Sequence, residues 1–504
     1  MKKFTKVCSL TMAGAMALSL AACGSTPASS TASAESGSST AASAATASSA
    51  TAASAAGDIT TLKMITVGAG TPSNYDAWSK QVNDYLGEKI GVNVEVEVIS
   101  WGDWDQRRNV IVNTSGDYDI LFTNLNTYNN DVKTGAFMDI TELLPTAAPD
   151  LYAMIPENYW EACRVNGQIY AVPTYKDSSQ SEFIVWDEAL AESTGVDVSQ
   201  IHTLEAMAEP LQKIHDQTGD TAFPMSKTGG AYLLFEYDTM SSGLLSMGVR
   251  YDDTEAKVVP VFEQEDIMSS LNTMHAWYSA GIINSDAATK PEDNEYKPCS
   301  IAQGWASAAK TTWGPQMGMD AVAYQWGPTI VSNDTVRGSL NCVSSNCKAP
   351  EKALALLQAI NTDTYVRDSF YYGVEGDNWQ YTDDTKTKVH KNNADWSMAG
   401  YTQGSFFTAT PLDDVDFNQW DEVKELNEAA EPSILLGFTL DTSSFDDQLA
   451  NCISITNRYK SEILTGTSDP VDSVPAMMAE LRAAGFDDIQ AAAQTQVDAF
   501  MASK

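Results

Sequence analysis

Residues Thr61 to Val98 read TLKMITVGAGTPSNYDAWSKQVNDYLGEKIGVNVEVEV. Thr61 to Val67 is a short apolar run suited to a buried strand, and Gly68 to Ser73 breaks it. Ser73 is placed to cap a helix over Asn74 to Lys89, on which Trp78, Val82, Tyr85 and Leu86 recur at helical spacing before Gly91 stops it. Val92, Val94, Val96 and Val98 then alternate with Asn93, Glu95 and Glu97, the period of a half-buried strand. Strand, helix and strand in this order predict a βαβ unit. An α/β fold follows, with ligand loops at the carboxyl ends of the strands.

Working outward, Tyr118 to Thr123 (YDILFT) supplies another strand. Pro350 to Ile360 is a helix with Pro at its first turn and Ala353, Leu354, Leu357 and Ile360 inward. The chain ends in helices over Val474 to Ala484 and Asp487 to Phe500, separated by Gly485. At the other end, Lys2, Lys3 and Lys6 precede an apolar run from Val7 to Leu20. That run is too short to span a bilayer comfortably and is typical of a secretory signal peptide. Leu20-Ala21-Ala22-Cys23 resembles a bacterial lipobox, in which Cys23 is acylated and becomes the new N-terminus. Gly24 to Gly57 is almost wholly Ser, Thr and Ala, with Glu35 its one charge, and reads as a flexible leash.

The 504 residues carry 30 Lys or Arg against 67 Asp or Glu, a formal charge of −37. Such a balance repels a phosphate backbone and argues against nucleic-acid partners. With 4 His (His202, His215, His275 and His390), little is left for zinc or histidine-based catalysis. Beyond Cys8 and Cys23, the cysteines are Cys163, Cys299, Cys342, Cys347 and Cys452, with no CxxC spacing. Cys342 and Cys347 are near enough in sequence for a small disulfide, and reduced thiols fit equally well.

Chemical motifs give little. Gly68-Ala69-Gly70-Thr71-Pro72-Ser73 begins like a dinucleotide loop but lacks the third Gly and carries a Pro. Asp414, Asp416, Asn418 and Glu425 have calcium-loop spacing, yet Gln419 stands where the sharp turn needs Gly, so a solvated acidic loop is the better reading. Asp103/Asp105 and Glu375/Asp377 could pair as glycosidase carboxylates. In so acidic a chain, close pairs arise by chance. No cofactor and no metal is expected.

Aromatic rings at chain breakpoints are more informative. Trp101, Asp103 and Trp104 follow the alternating strand directly, and Asn124 follows the next one. Tyr175 and Asp177 follow Ala171-Val172-Pro173, which looks like a strand running into a crossing. Trp305 and Trp313 bracket a stretch of small residues, and Glu375 and Trp379 close the run from Tyr372. An aromatic face stacks on the C–H face of a pyranose while nearby carboxylates and amides bond its hydroxyls. These ten residues are the candidate ligand site. Trp78 and Trp277, at helical spacing, are assigned to the core.

Ser115-Gly116-Asp117-Tyr118-Asp119-Ile120, Val165 through Tyr175 (VNGQIYAVPTY), Ala349-Pro350-Glu351-Lys352-Ala353 and Tyr372-Gly373-Val374-Glu375-Gly376 together resemble the family 1 extracellular solute-binding lipoproteins of ABC importers. Leu436-Gly437-Phe438 onward, through Leu481-Arg482-Ala483-Ala484-Gly485, is similar to the helical C-terminal module of that family's carbohydrate-type subgroup. The resemblance implies a two-lobed, periplasmic-binding-protein-like (type II) α/β fold with a helical C-terminal region and ligand held between the lobes. The expected plan is a signal peptide over 1–22 and a lipidated Cys and linker over 23–57. Lobe 1 follows over 58–174 and lobe 2 over 175–322. A return to lobe 1 occupies 323–395, and lobe 2 with the helical module completes the chain over 396–504.

The favoured function is capture of a carbohydrate, an oligosaccharide, for import. Peptides or other polar solutes, a non-transport surface sensor and a secreted glycosidase are the alternatives. Implied partners are the sugar, the ABC permease subunits and the lipid at Cys23, with the chain monomeric on the extracytoplasmic face of the cell membrane. Two acyl chains anchor a protein stably where one does not. Cys23→Ala should therefore move the protein from membranes to a soluble fraction on cell fractionation, with its fold unchanged. Retention on membranes would overturn the lipobox reading.

Overall fold

The alternating stretch becomes the Val92–Ser100 strand, with Val92, Val94, Val96 and Val98 buried and Glu95 exposed. A computed structural model describes residues 59–504 apart from 115, 116, 294 and 415. The expected signal peptide, Cys23 and the leash lie outside the described residues. Val92–Ser100 runs parallel to Thr60–Gly68 along its length, with Thr60 opposite Val92 and Gly68 opposite Ser100. The Tyr75–Ile90 helix joins them and buries Trp78, Val82 and Leu86. Gly91 ends it at φ 66°, a left-handed conformation that disfavours any side chain. Ser73 is not the cap. The helix begins after Asn74, whose Nδ2 donates to Asp377 and Asn378 instead.

Lobe 1 is built on a sheet in the order Val92–Ser100, Thr60–Gly68, Ile120–Thr123, Leu340–Val343, Val172–Pro173. The first three strands are parallel, and Leu340–Val343 runs antiparallel to both its neighbours. Its core draws on residues 62–175, then on residues from Val331 to Val374, and lastly on Met398. Lobe 2 has a sheet in the order Cys299–Gln303, Gln180–Asp187, Ala321–Val331, Glu431–Pro432. Its core unites Ile184 and Trp186 with the helices Leu204–Thr218 and Glu265–Ser279 and with three helices at the chain's end. Those three are Asp446–Leu464, Pro470–Ala483 and Phe486–Met501. The molecule is thus a two-lobed α/β protein with a helical C-terminal region.

Two segments cross between the lobes side by side. Residues 172–187 run antiparallel to residues 321–341 on both sides of the junction. Hydroxyl pairs close the gap between them, Thr174 to Ser339 and Ser181 to Thr329, each at 2.8 Å. The boundary expected at 322/323 is therefore displaced. Ala321–Val331 is a strand of the lobe 2 sheet, and its bulge between Trp326 and Ile330, around Gly327 and Pro328, reads as a break in sequence. The boundary expected at 395/396 also moves, because Met398 packs in the lobe 1 core. All five described cysteines are buried and unbonded, Cys342 inside the lobe 1 sheet. No helix among the described residues is long and apolar enough to cross a membrane.

Asp368 is fully buried and accepts hydrogen bonds from Thr410 N, Thr410 Oγ1 and Tyr381 Oη. Burial pushes its carboxyl up to about 6 in spite of those donors. A carboxyl raised on folding stabilises the native state below its unfolded pKa, about 3.9, and loses that contribution as pH rises through the folded value. Asp368→Asn removes the titration. Relative to the parent, the variant should gain on the order of 1–3 kcal/mol in urea unfolding between about pH 4 and pH 7. A constant difference across that range would contradict the assignment.

Candidate functional site

The parallel strands of lobe 1 end on a common edge, and Trp101 stands there directly after Ser100, its N–H donating to Gly68 O at 3.1 Å. Its ring is 51% exposed and lies against Tyr401 at 6.0 Å and an interplanar angle of 12°. Tyr401 in turn meets Phe122 edge-on at 6.4 Å. The face thus formed is flat, half wet and set on rigid strands. Asp103 is exposed and accepts from Ser100 Oγ, and Asn124, half-buried, caps its own turn at Asn126 N. Trp104 is a correction. It opens the Trp104–Asn113 helix and is buried against Phe122, because the first helical turn rotates its ring back into the core.

Tyr401 belongs to an irregular strap, residues 397–407, laid over the same edge. Ser397 O accepts from Ala69 N, Thr402 Oγ1 meets Thr66 Oγ1 at 2.8 Å, and Thr402 O accepts from Asn341 Nδ2. The buried guanidinium of Arg367 donates to the carbonyls of Gly400, Gln403 and Ser405. Further on, Phe406 N donates to Tyr175 O, and the Phe406 ring packs on Trp420 at 4.4 Å. Trp420 meets Trp305 at 5.7 Å. The five steps along the chain from Tyr401 to Phe406 span at most about 18 Å, so the strap brings the two aromatic groups near one another.

Trp305 is half-buried, and its Nε1 is shielded with no hydrogen-bond partner. The loop after it is fixed by Glu422, whose carboxylate accepts from Ala306 N, Ser307 N and Ser307 Oγ. Tyr175 is a second correction. Its ring is buried between Phe407 and Tyr159, so it serves the junction by its backbone rather than its hydroxyl. Asp177 pairs with Lys176 at 2.9 Å.

Lobe 2 contributes a cavity of about 650 Å³. It runs from the Lys297–Gln303 edge to Ser332 and Asp334, where the chain turns back toward lobe 1. Trp313 lines it, half-buried beside Phe183, together with Tyr232 and Glu182. A polar concavity of this size suits a small organic ligand.

Glu375 and Trp379 are not brought to this place. Glu375 is tied by its backbone to Gln81 on the Tyr75–Ile90 helix. Trp379 is fully buried among Tyr372, Tyr381 and Val389, its Nε1 donating to Gly373 O. Its turn faces a satellite core, and position after a break did not reveal that. Tyr401, Trp420 and Glu182 were missed. Tyr401 and Trp420 do carry the signal used elsewhere, an aromatic at a breakpoint (Gly400-Tyr401, Asn418-Gln419-Trp420). Among the described residues no group of three or more His, Cys, Asp or Glu is placed to hold a metal, and Asp413, beside the expected acidic loop, instead faces His390.

Two lobes joined by crossing strands, with aromatic rings at the junction and a polar cavity in lobe 2, give the architecture of a two-lobed solute-binding protein. Residues 68–313 match the family described as bacterial extracellular solute-binding protein. Residues 434–502 match a domain of unknown function (DUF3502). The chain is 26% identical over 462 residues to a carbohydrate ABC transporter substrate-binding protein of Streptococcus pneumoniae serotype 4, covering 89% of this chain and 92% of that one. Its fold matches the N-glycan transport solute binding protein NgtS of Streptococcus pneumoniae with a TM-score of 0.80 at 24% identity, over 88% of this chain and 99% of the other. The same protein in complex with Man5GlcNAc gives 0.68 at 25% identity over the same shares. A solute-binding protein for HMO from Bifidobacterium longum infantis gives 0.62 at 14% identity, over 88% and 99%.

Exposure separates the tryptophans by role. Trp379→Ala and Trp104→Ala empty packed sites and should each cost about 3–5 kcal/mol in urea unfolding. Trp101→Ala removes a half-exposed ring and should cost less than about 1 kcal/mol. Equal losses at all three would mean that Trp101 is a packing residue.

Proposed function

We propose that this chain captures an oligosaccharide outside the cell membrane, tethered there through Cys23, and delivers it to the permease subunits of an ABC importer without altering it. The observation carrying this reading is the parallel pair Trp101 and Tyr401 at the strand ends of lobe 1, joined by the strap to Trp305 and Trp420. Flat rings presented half-exposed on a rigid edge suit the C–H faces of successive sugar units. Hydrogen-bonding partners for hydroxyls come from Asp103, Asn124 and the polar cavity of lobe 2. Nothing in this arrangement needs chemistry on the ligand. A monomer suffices, since both walls come from one chain.

Support also comes from the relatives. NgtS gives a TM-score of 0.80 in one structure but 0.68 and 0.70 in its complexes with Man5GlcNAc and Man1GlcNAc. One protein compared with one chain yields different scores only if its own conformation differs. Hinge closure about crossing strands is the ordinary source of such a difference in clefts of this kind.

A thermal-shift screen of oligosaccharides should find a ligand, because one that binds only the native state must raise its melting temperature. With that ligand saturating, small-angle scattering should show a smaller radius of gyration. Trp101→Ala should weaken calorimetric affinity about tenfold, or ~1.4 kcal/mol, at nearly unchanged melting temperature. A panel without any hit, or a peptide hit that outcompetes every saccharide, would overturn the reading.

A further inference from the structure

The cavity of lobe 2 is one-sided in charge. Among the described residues Glu182, Asp238, Asp334, Glu292, Asp293 and Glu295 line it, against the single cation Lys297. At the outer rim Lys290 compensates Asp293 and Glu295 through ion pairs of 3.0 and 2.9 Å. The inner end has no such partner. Glu182, 3% exposed on the middle of the sheet, takes one hydrogen bond, from Gln180 Nε2 at 2.8 Å. Asp238 accepts from Ser433 Oγ and Met240 N, and Asp334 from Thr239 and Ser241. All of these donors are neutral. Arg337, nearby, donates to Ala162 O, Arg164 O, Asn129 Oδ1, Ser241 Oγ and Thr439 Oγ1; its charge favours ionised Asp238 from a distance, but it makes no direct ion pair with these carboxylates. Burial raises the carboxyls of Glu182 and of Asp238, the latter to about 6, as expected where water and cations are scarce.

Lobe 1 does not make up the deficit. Its cations closest in sequence to the candidate residues already face carboxylates, Arg107 with Glu97, Arg108 with Asp131, and Lys176 with Asp177, and Lys310, between Trp305 and Trp313 in lobe 2, does not line the cavity. A carboxylate, sulfate or phosphate on a ligand would therefore meet like charge in a partly dehydrated space, where repulsion is strong. A sugar hydroxyl would meet acceptors ready for its proton, and a bond to a charged acceptor is the stronger kind.

We propose that this cavity selects an uncharged saccharide, with Glu182 the principal acceptor for its hydroxyls, and excludes saccharides bearing carboxylate, sulfate or phosphate groups. The inference rests on the saccharide reading above and narrows it to a charge class.

The test uses matched pairs with the mature full chain. Manno-, gluco-, galacto- and chito-oligosaccharides are titrated calorimetrically, each as the neutral sugar and after oxidation of its primary hydroxyls to carboxylates. A backbone that binds in neutral form should lose at least about tenfold in affinity when oxidised, or ~1.4 kcal/mol. The gap should narrow in about 0.5 M NaCl, where screening shortens the reach of charge, and narrow again in Glu182→Gln, which keeps the side chain's shape. An oxidised sugar that binds as tightly as its neutral parent overturns the charge inference and leaves the saccharide reading standing. A gap that neither salt nor the variant moves overturns it too, assigning the loss to shape. Binding by no backbone in either form removes the saccharide reading, and this inference with it.

Discussion

Irregular chain buried where two lobes meet leaves backbone carbonyls that no helix or sheet ladder can satisfy, and such groups need donors. Two buried guanidiniums provide them. Arg337 donates to Ala162 O and Arg164 O in lobe 1, and reaches Ser241 and Thr439 on the side of lobe 2. Arg367 donates to Gly400 O, Gln403 O and Ser405 O, with its plane over Tyr371 and Phe406. A planar fork of donors suits several fixed carbonyls at once, which a lysine's point charge does not. Burial lowers the Arg367 pKa to about 10, which still leaves it cationic at neutral pH. That one side chain ties three carbonyls of the strap that presents Tyr401 and Phe406, beside the bonds the strap makes with Ala69, Thr66, Asn341 and Tyr175.

This use of arginine bears on the electrostatics of the whole chain. With 67 acids and 30 bases, cations held inside the fold are lost to the surface. Arg108 is buried against Asp131, and removing either partner would leave a charge with no water to solvate it. Arg337 and Arg367 are committed to backbone. The acids are left to line the surface and the lobe 2 cavity, where they keep the molecule soluble and repel anions. The acidity evident in the composition thus becomes, after folding, a property of a particular wall.

Local patterns carried the fold. The valines from Val92 to Val98, the helix ending at Gly91 and the Pro-started Pro350–Thr362 helix all follow from spacing alone, because one buried face sets each period. What spacing does not hold is which breakpoint faces the junction. Trp101 and Trp379 both stand at breakpoints, one after an apolar strand and one after the polar turn Glu375-Gly376-Asp377-Asn378, yet one ends on the shared strand edge and the other turns into a satellite core. Tyr401 sits between glycines with no periodic neighbour, and its role exists only once Arg367 draws the strap over lobe 1. Glu182 lies inside a strand of otherwise buried residues. Its meaning depends on a cavity formed by segments far away in sequence.

The domain of unknown function at the chain's end is continuous with lobe 2. Leu449, Ile463, Met477, Leu481, Ile489 and Val497 share a core with Leu211, Met247, Phe262, Leu271 and Met274. At Gly466 an added Cβ would stand 2.4 Å from Met274 O at φ 71°, so the loop after Asp446–Leu464 touches the backbone of Glu265–Ser279. The lead-in is fastened where the chain leaves the lobe 2 sheet. Ser433 N donates to Val331 O, its hydroxyl to Asp238, and Gly437 N to Asn333. Lobe 2 therefore buries its apolar face only when the last helices arrive, a non-local closure that cannot precede completion of the chain. Because those helices share one core with the lobe 2 sheet, a rotation of lobe 2 would carry them with it. The C-terminal module is thus built into lobe 2.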